Sequence, residues 1–173
     1  RRIRSIAIVH EILAREATDF VRLSEVVMPL VEVVQEATTS EDVEIEFNVN
    51  GDAGILPGEI ASPLAIILNE LMQNAVDHAF DFEKMANEEE GARVDIVLTR
   101  DGSGLSITVS DNGKGLKEDF DLDASTGLGT SIMKALVTTE LGGTITMRNS
   151  KPKGSIVRIK IPLTQKRSGA HDI

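Results

Sequence analysis

The chain has 173 residues, 41% of them hydrophobic and 27% charged, which suits one domain with a real core. Its net charge of -10 argues against general nucleic-acid binding, although backbone N–H groups can still build a local phosphate site. The absence of cysteine excludes disulfides and thiolate metal sites and agrees with a cytoplasmic setting; no apolar run approaches the roughly 18 residues of a membrane span.

The chain opens on Arg1 in what reads as mid-helix, with Ile3, Ile6, Ala7, His10, Leu13 and Ala14 at helical spacing. That start implies a longer parent protein. Thr18 to Leu23 reads as a connection, so the expected division is a helix remnant over 1–20, a main domain over 21–165 and a loose tail over 166–173. Val26, Val27, Leu30, Val31 and Val34 predict a second helix with Ser24 as its N-cap. Val43 to Val49 alternates strictly and predicts a strand with one wet face. A turn from Gly51 to Gly58 precedes a long helix, about Ile60 to Phe80, expected to be capped at Ser62 with Pro63 in its first turn.

Asp81 to Gly91 reads as a solvated acidic loop. Val94, Ile96 and Leu98, then Leu105, Ile107 and Val109, alternate around a turn and predict a hairpin. A further helix runs from about Thr130 to Leu141 and stops at Gly142 and Gly143. Two strands follow, near Thr144 to Arg148 and Ile156 to Ile161, the second with Val157, Ile159 and Ile161 inward. The elements sum to an α+β fold, a two-layer sandwich whose mixed, mostly antiparallel sheet carries helices on one face.

Three groups of residues point to chemistry. Glu70, Asn74 and His78, four apart on the long helix, form one stripe that drifts about 40° per step along the edge of its apolar arc. Asn74 can offer an amide oxygen to Mg²⁺, which takes few protein ligands when phosphates supply the rest. Glu70 can accept a proton or orient a metal-bound water, and His78 can meet phosphate. Asp111 ends a strand, where its carboxylate can accept from an amine such as that of adenine. Gly113 and Gly115 then let a flat base approach the main chain. Gly127, Leu128, Gly129 and Thr130 open a helix whose free N–H groups suit phosphates. Leu116 to Thr126 joins the two glycine loops with few apolar anchors and suits a lid. Each group has a plain structural reading, as a polar helix edge, a hairpin turn or a surface loop; their order along the chain favours a joint one.

In that order the residues resemble the Bergerat-type ATP-binding fold of sensor histidine kinases, gyrase-type ATPases, Hsp90 and MutL. Asn69 to Ala75 resembles the N box of that family, Asp111 to Gly115 its first glycine box and Gly127 to Gly129 its second. The resemblance covers about Leu23 to Leu163 and implies that Asn74 binds Mg²⁺, that Asp111 reads adenine and that the glycine loops frame the lid. Arg2 to Glu11 is similar to the second dimerisation helix of histidine kinases with a variant phosphoacceptor domain, as in the actinobacterial PdtaS type, which also carries Glu at the position of Glu70. This implies a cytoplasmic two-component kinase that moves phosphoryl from ATP to a histidine and then to an aspartate of a response regulator, and that is a homodimer when intact. The phosphorylated histidine is expected before Arg1; His10, with no proline at the expected distance, reads as a structural residue. Asp77 stands where related kinases often have Lys, so a cationic phosphate contact would fall to Lys114 or Lys117. The rival readings are an anti-sigma-factor-type serine kinase with the same fold, against which the Arg1 to Leu13 helix speaks, and a degenerate interaction module that no longer uses ATP.

Overall fold

The computed structural model describes residues 20–38, 44–85 and 89–163, together with Ala7 and Glu11, both helical. The rest of the N-terminal pattern, His10 included, and the tail from Lys166 lie outside the described residues. In chain order the elements are β1 (Phe20–Arg22), α1 (Leu23–Thr38), β2 (Ile45–Gly51), β3 (Ile55–Pro57) and α2 (Gly58–Asn74), which widens into a π-helical turn over Ala75–Ala79. Then come α3 (Phe82–Met85), β4 (Ala92–Asp101), β5 (Gly104–Asp111), α4 (Leu128–Ala135) with a second π turn over Leu136–Glu140, β6 (Thr144–Asn149) and β7 (Ser155–Ile161).

The main sheet has the order β2-β4-β5-β7-β6. Among the described residues its β2–β4 pair is parallel, and β4, β5, β7 and β6 pair antiparallel. Strand alternation sorts its two faces. Ile45, Phe47, Val94, Ile96, Leu98, Ile107, Val109, Val157 and Ile159 are buried against Leu30, Val34, Leu64, Leu68 and Met72 of the helices in one core. Glu46, Arg93, Arg158 and Lys160 are exposed, on the opposite face. With so few aromatics the core is aliphatic, each fully buried Leu or Ile contributing about 1.5–3 kcal/mol.

Two helix starts differ from the sequence reading, for one reason. The Gly51 to Gly58 turn and the Thr18 to Leu23 connection each contain a strand of three residues, and these pair antiparallel, Phe20 opposite Pro57 and Arg22 opposite Ile55. Each strand feeds straight into a helix. α1 therefore begins at Leu23, whose N–H donates to the Gly54 carbonyl at 3.1 Å, and Ser24 lies inside it rather than capping it. α2 begins at Gly58 after Pro57, so Ser62 is not its cap and the buried Pro63 lies within the helix. The acidic loop also holds a helix, the one-turn α3.

Candidate functional site

α2 is the scaffold of the site. Its core arc, Ala61, Leu64, Ala65, Leu68 and Met72, is completely buried, which fixes how the helix rolls on the sheet. Glu70 and Asn74 are then half-buried at the edge of that arc. His78 falls in the π turn and is exposed, as is Asp77. A π turn holds more residues than an α turn. Position 78 therefore falls short of a full turn from Asn74 instead of overshooting it, so the even stripe expected of an α-helix ends at Asn74.

The first glycine loop docks on the end of that helix. The Lys114 N–H donates to the Ala79 carbonyl at 2.8 Å. A side chain on Gly113 would collide with that same carbonyl oxygen, which explains the glycine sterically. Gly115 has φ +78°, where L side chains are strained, and a Cβ there would press on Asn149 Oδ1 at 2.7 Å. Asp111 has the strand parity of Leu105, Ile107 and Val109 and so faces the helix layer. Its Oδ1 accepts from the N–H groups of Gly113 (2.9 Å) and Ser155 (3.3 Å), and its Oδ2 from Ser155 Oγ (2.6 Å). A carboxylate offers about four acceptor positions. Three are used among the described residues, so the geometry leaves capacity for one further donor.

The second glycine loop meets α2 further back along the helix, at Glu70. A side chain on Gly129 would collide with Glu70 Oε2. No side chain among the described residues caps α4, whose N-cap is Gly127, so its first N–H groups have no side-chain partner there. Gly127 and Leu128 are exposed, and Thr130 is half-buried. Glu70 thus touches the second loop, Ala79 at the end of the same helix touches the first, and Asn74 lies between them along the helix. Lys114 and Lys117 are both exposed.

Sequence reasoning missed several contributors. Asn112, read as half of a turn signal, is buried: its Oδ1 accepts from the Arg93 N–H and its Nδ2 donates to the Gly91 carbonyl, both at 2.8 Å, tying the loop to the start of β4. Gly154, at φ +93°, presses on the Asp111 backbone, where a Cβ would collide with the carbonyl oxygen. Gly154 and Ser155 sit more than forty positions from Asp111 and form no local pattern with it. The signal available was a glycine before a strand, GSIVRIKI, and it is weak alone.

The family model for histidine kinase-, DNA gyrase B- and HSP90-like ATPases matches residues 59–165, more than half of the chain. The chain belongs to that family. Its span includes the long helix with Glu70 and Asn74 and both glycine loops. Among curated relatives the chain is similar to the sensor histidine kinase PdtaS of Mycobacterium tuberculosis, with 36% identity over 163 residues; these are 94% of this chain and 31% of that protein, so the chain spans about a third of the relative. Among solved structures it resembles the histidine kinase domain of a blue-light-activated kinase from Erythrobacter litoralis, with a TM-score of 0.74 at 24% identity over 94% of this chain and 73% of the other. It also resembles the ATP binding domain of PrrB from Mycobacterium tuberculosis, at 0.64 and 17% identity over 85% of this chain and 98% of the other. At those identities the structures support the fold, and they agree with the layered sheet and helices described above. No helix among the described residues is long and apolar enough to cross a membrane.

Proposed function

We propose that the chain is the ATP-binding catalytic core of a two-component sensor histidine kinase. The observation that carries this reading is the meeting of both glycine loops on α2: Gly113 against Ala79, Gly129 against Glu70, with Asn74 between. A Gly113 that admits no side chain, an acceptor position left on Asp111 and N–H groups at α4 without a side-chain cap suit a flat base at one end and phosphates at the other. Bound ATP supplies the phosphoryl group and Mg²⁺ neutralises its charge. Asn74 is the metal's protein ligand, consistent with a cation that keeps most of its waters. Asp111 selects adenine, and Gly113 and Gly115 admit the base. Gly127, Leu128, Gly129 and Thr130 hold the phosphates through backbone groups, and His78, exposed beside Ala79, meets the nucleotide from the rim at the first glycine loop's end. Glu70 holds or takes the proton at the phosphate end.

The partners of the intact protein, on this reading, are a second copy of itself and a response regulator whose aspartate receives the phosphoryl group, in the cytoplasm. The chemical stability of the product tests the reading. The intact protein incubated with γ-labelled Mg-ATP should take up label that acid releases and alkali does not. Acid-stable label on serine would overturn it in favour of the serine kinase.

A further inference from the structure

The segment between the two glycine loops carries Glu118, Asp119, Asp121 and Asp123 against one cation, Lys117. Four carboxylates repel one another and repel any anion beneath them, so such a loop drifts into solvent unless something holds it. Its own backbone bonds are few: Phe120 to Lys117 at 3.0 Å and Ser125 to Leu122 at 3.4 Å. At its start, Asn149 clamps Leu116 from both sides, its Oδ1 accepting from the N–H at 2.6 Å and its Nδ2 donating to the carbonyl at 3.3 Å. Beyond Leu116, among the described residues, the loop hydrogen-bonds to the body of the protein through one side chain, Lys134 of α4. Its ammonium lies 3.0 Å from the Leu122 carbonyl, 3.4 Å from the Asp123 carbonyl and 3.3 Å from the Asp123 carboxylate. Two of its N–H donors are thus hydrogen-bonded, and the carboxylate adds an ion pair. The Lys134 side chain is 24% exposed and that of Asp123 is 92% exposed. The ion pair is therefore screened, and the bonds to the two carbonyls do most of the holding.

We propose that Lys134 is a positioning residue: it latches the acidic loop onto α4 and so sets how fast a nucleotide held between the glycine loops escapes. The latch stands on the geometry just given; its effect on nucleotide rests on the proposed function. Two measurements separate them. In hydrogen exchange on the nucleotide-free chain, Lys134→Met should make the hydrogen-bonded amides of Asp123 and Ser125 exchange about tenfold faster, as loss of a charge-assisted hydrogen bond implies. Amides of β4 and β5 should be unchanged, which also shows that the variant folds. Lys134→Arg, which keeps the charge and the donors, should retain most of the protection. In stopped-flow release of a fluorescent Mg-ATP analogue, Lys134→Met should raise the off-rate by a similar factor and leave the on-rate nearly unchanged. Loop exchange identical in Lys134→Met and the parent chain would overturn the latch, whatever nucleotide does. Faster loop exchange with an unchanged off-rate would overturn its control of escape. A parent chain that binds no analogue would sink the nucleotide reading and the control of escape together, with the latch then decided by exchange alone.

Discussion

Asp111 does two jobs, and they can be told apart. It holds Gly113 and Ser155 in place through three hydrogen bonds, and on the proposed function it also accepts from the adenine amine. Asp111→Ala should therefore weaken Mg-ATP by about tenfold or more, the worth of a hydrogen bond to a charged group, and weaken bare triphosphate far less. Competition titrations with both ligands check this, and equal losses would leave Asp111 a purely structural residue. The glycines give a second contrast. At Gly113 the obstacle is the Ala79 backbone, which cannot yield cheaply, so Gly113→Ala should cost about 2 kcal/mol of stability in urea unfolding. At Gly129 the obstacle is the far end of a flexible glutamate. Gly129→Ala should therefore change stability by less than about 0.5 kcal/mol. It should still cut phosphoryl transfer by at least about tenfold, because Glu70 is pushed from its place. Asn69, beside Glu70, is 6% exposed and its Oδ1 has no hydrogen-bond partner among the described residues. Such a group costs about 1–3 kcal/mol to bury, so Asn69→Leu should raise the urea midpoint if the leucine fills the same space. A lower midpoint would mean that the amide has a use that the contacts do not reveal.

At the scale of elements, the β4–β5 hairpin has a pH signature. The Asp101 carboxylate accepts from Ser103 Oγ (2.5 Å) and from the Ser103 N–H (2.7 Å) across the turn. The Ser103 hydroxyl first, and then its backbone N–H, hold the carboxyl below its ordinary value of 3.8. A carboxylate depressed in the folded state stabilises it above the unfolded pKa, and that contribution is lost as pH falls through the folded pKa. The hairpin should therefore loosen below about pH 4. Asp101→Asn should flatten the stability profile there and leave its slope near neutral pH unchanged, as read by thermal melts across pH. The hairpin itself was plain in the sequence because its apolar residues alternate through Val94, Ile96 and Leu98 and again through Leu105, Ile107 and Val109. β1 and β3 were not, because three residues cannot establish a period, and their pairing joins segments about 35 positions apart. The same missing pair hid both helix starts: Ser24 and Ser62 carry start signals, but the incoming strand decides where the helix begins. The π turn after Asn74 was equally hidden, since helical spacing in a sequence does not distinguish the wider turn from the α form.

Across the whole molecule, the candidate site joins residues 70–79, 111–115, 127–134 and 149–155. The first three groups were legible because each has a local signature: polar residues at helical spacing, Asp-x-Gly-x-Gly, and Gly-x-Gly opening a helix. The last was not, because Asn149, Gly154 and Ser155 act through contacts across 33 to 44 positions that leave no short pattern. Lys134 was missed for a different reason: an ordinary lysine on a helix becomes informative only when its carbonyl partners are in place. Together these residues gather around the C-terminal part of α2 and its π turn, and the central claim is that this stretch holds a metal nucleotide. Calorimetric titration of the chain with ATP, with and without Mg²⁺, tests that claim most directly. One saturable heat per chain, stronger when Mg²⁺ is present, is expected; no heat at millimolar Mg-ATP would contradict a nucleotide site.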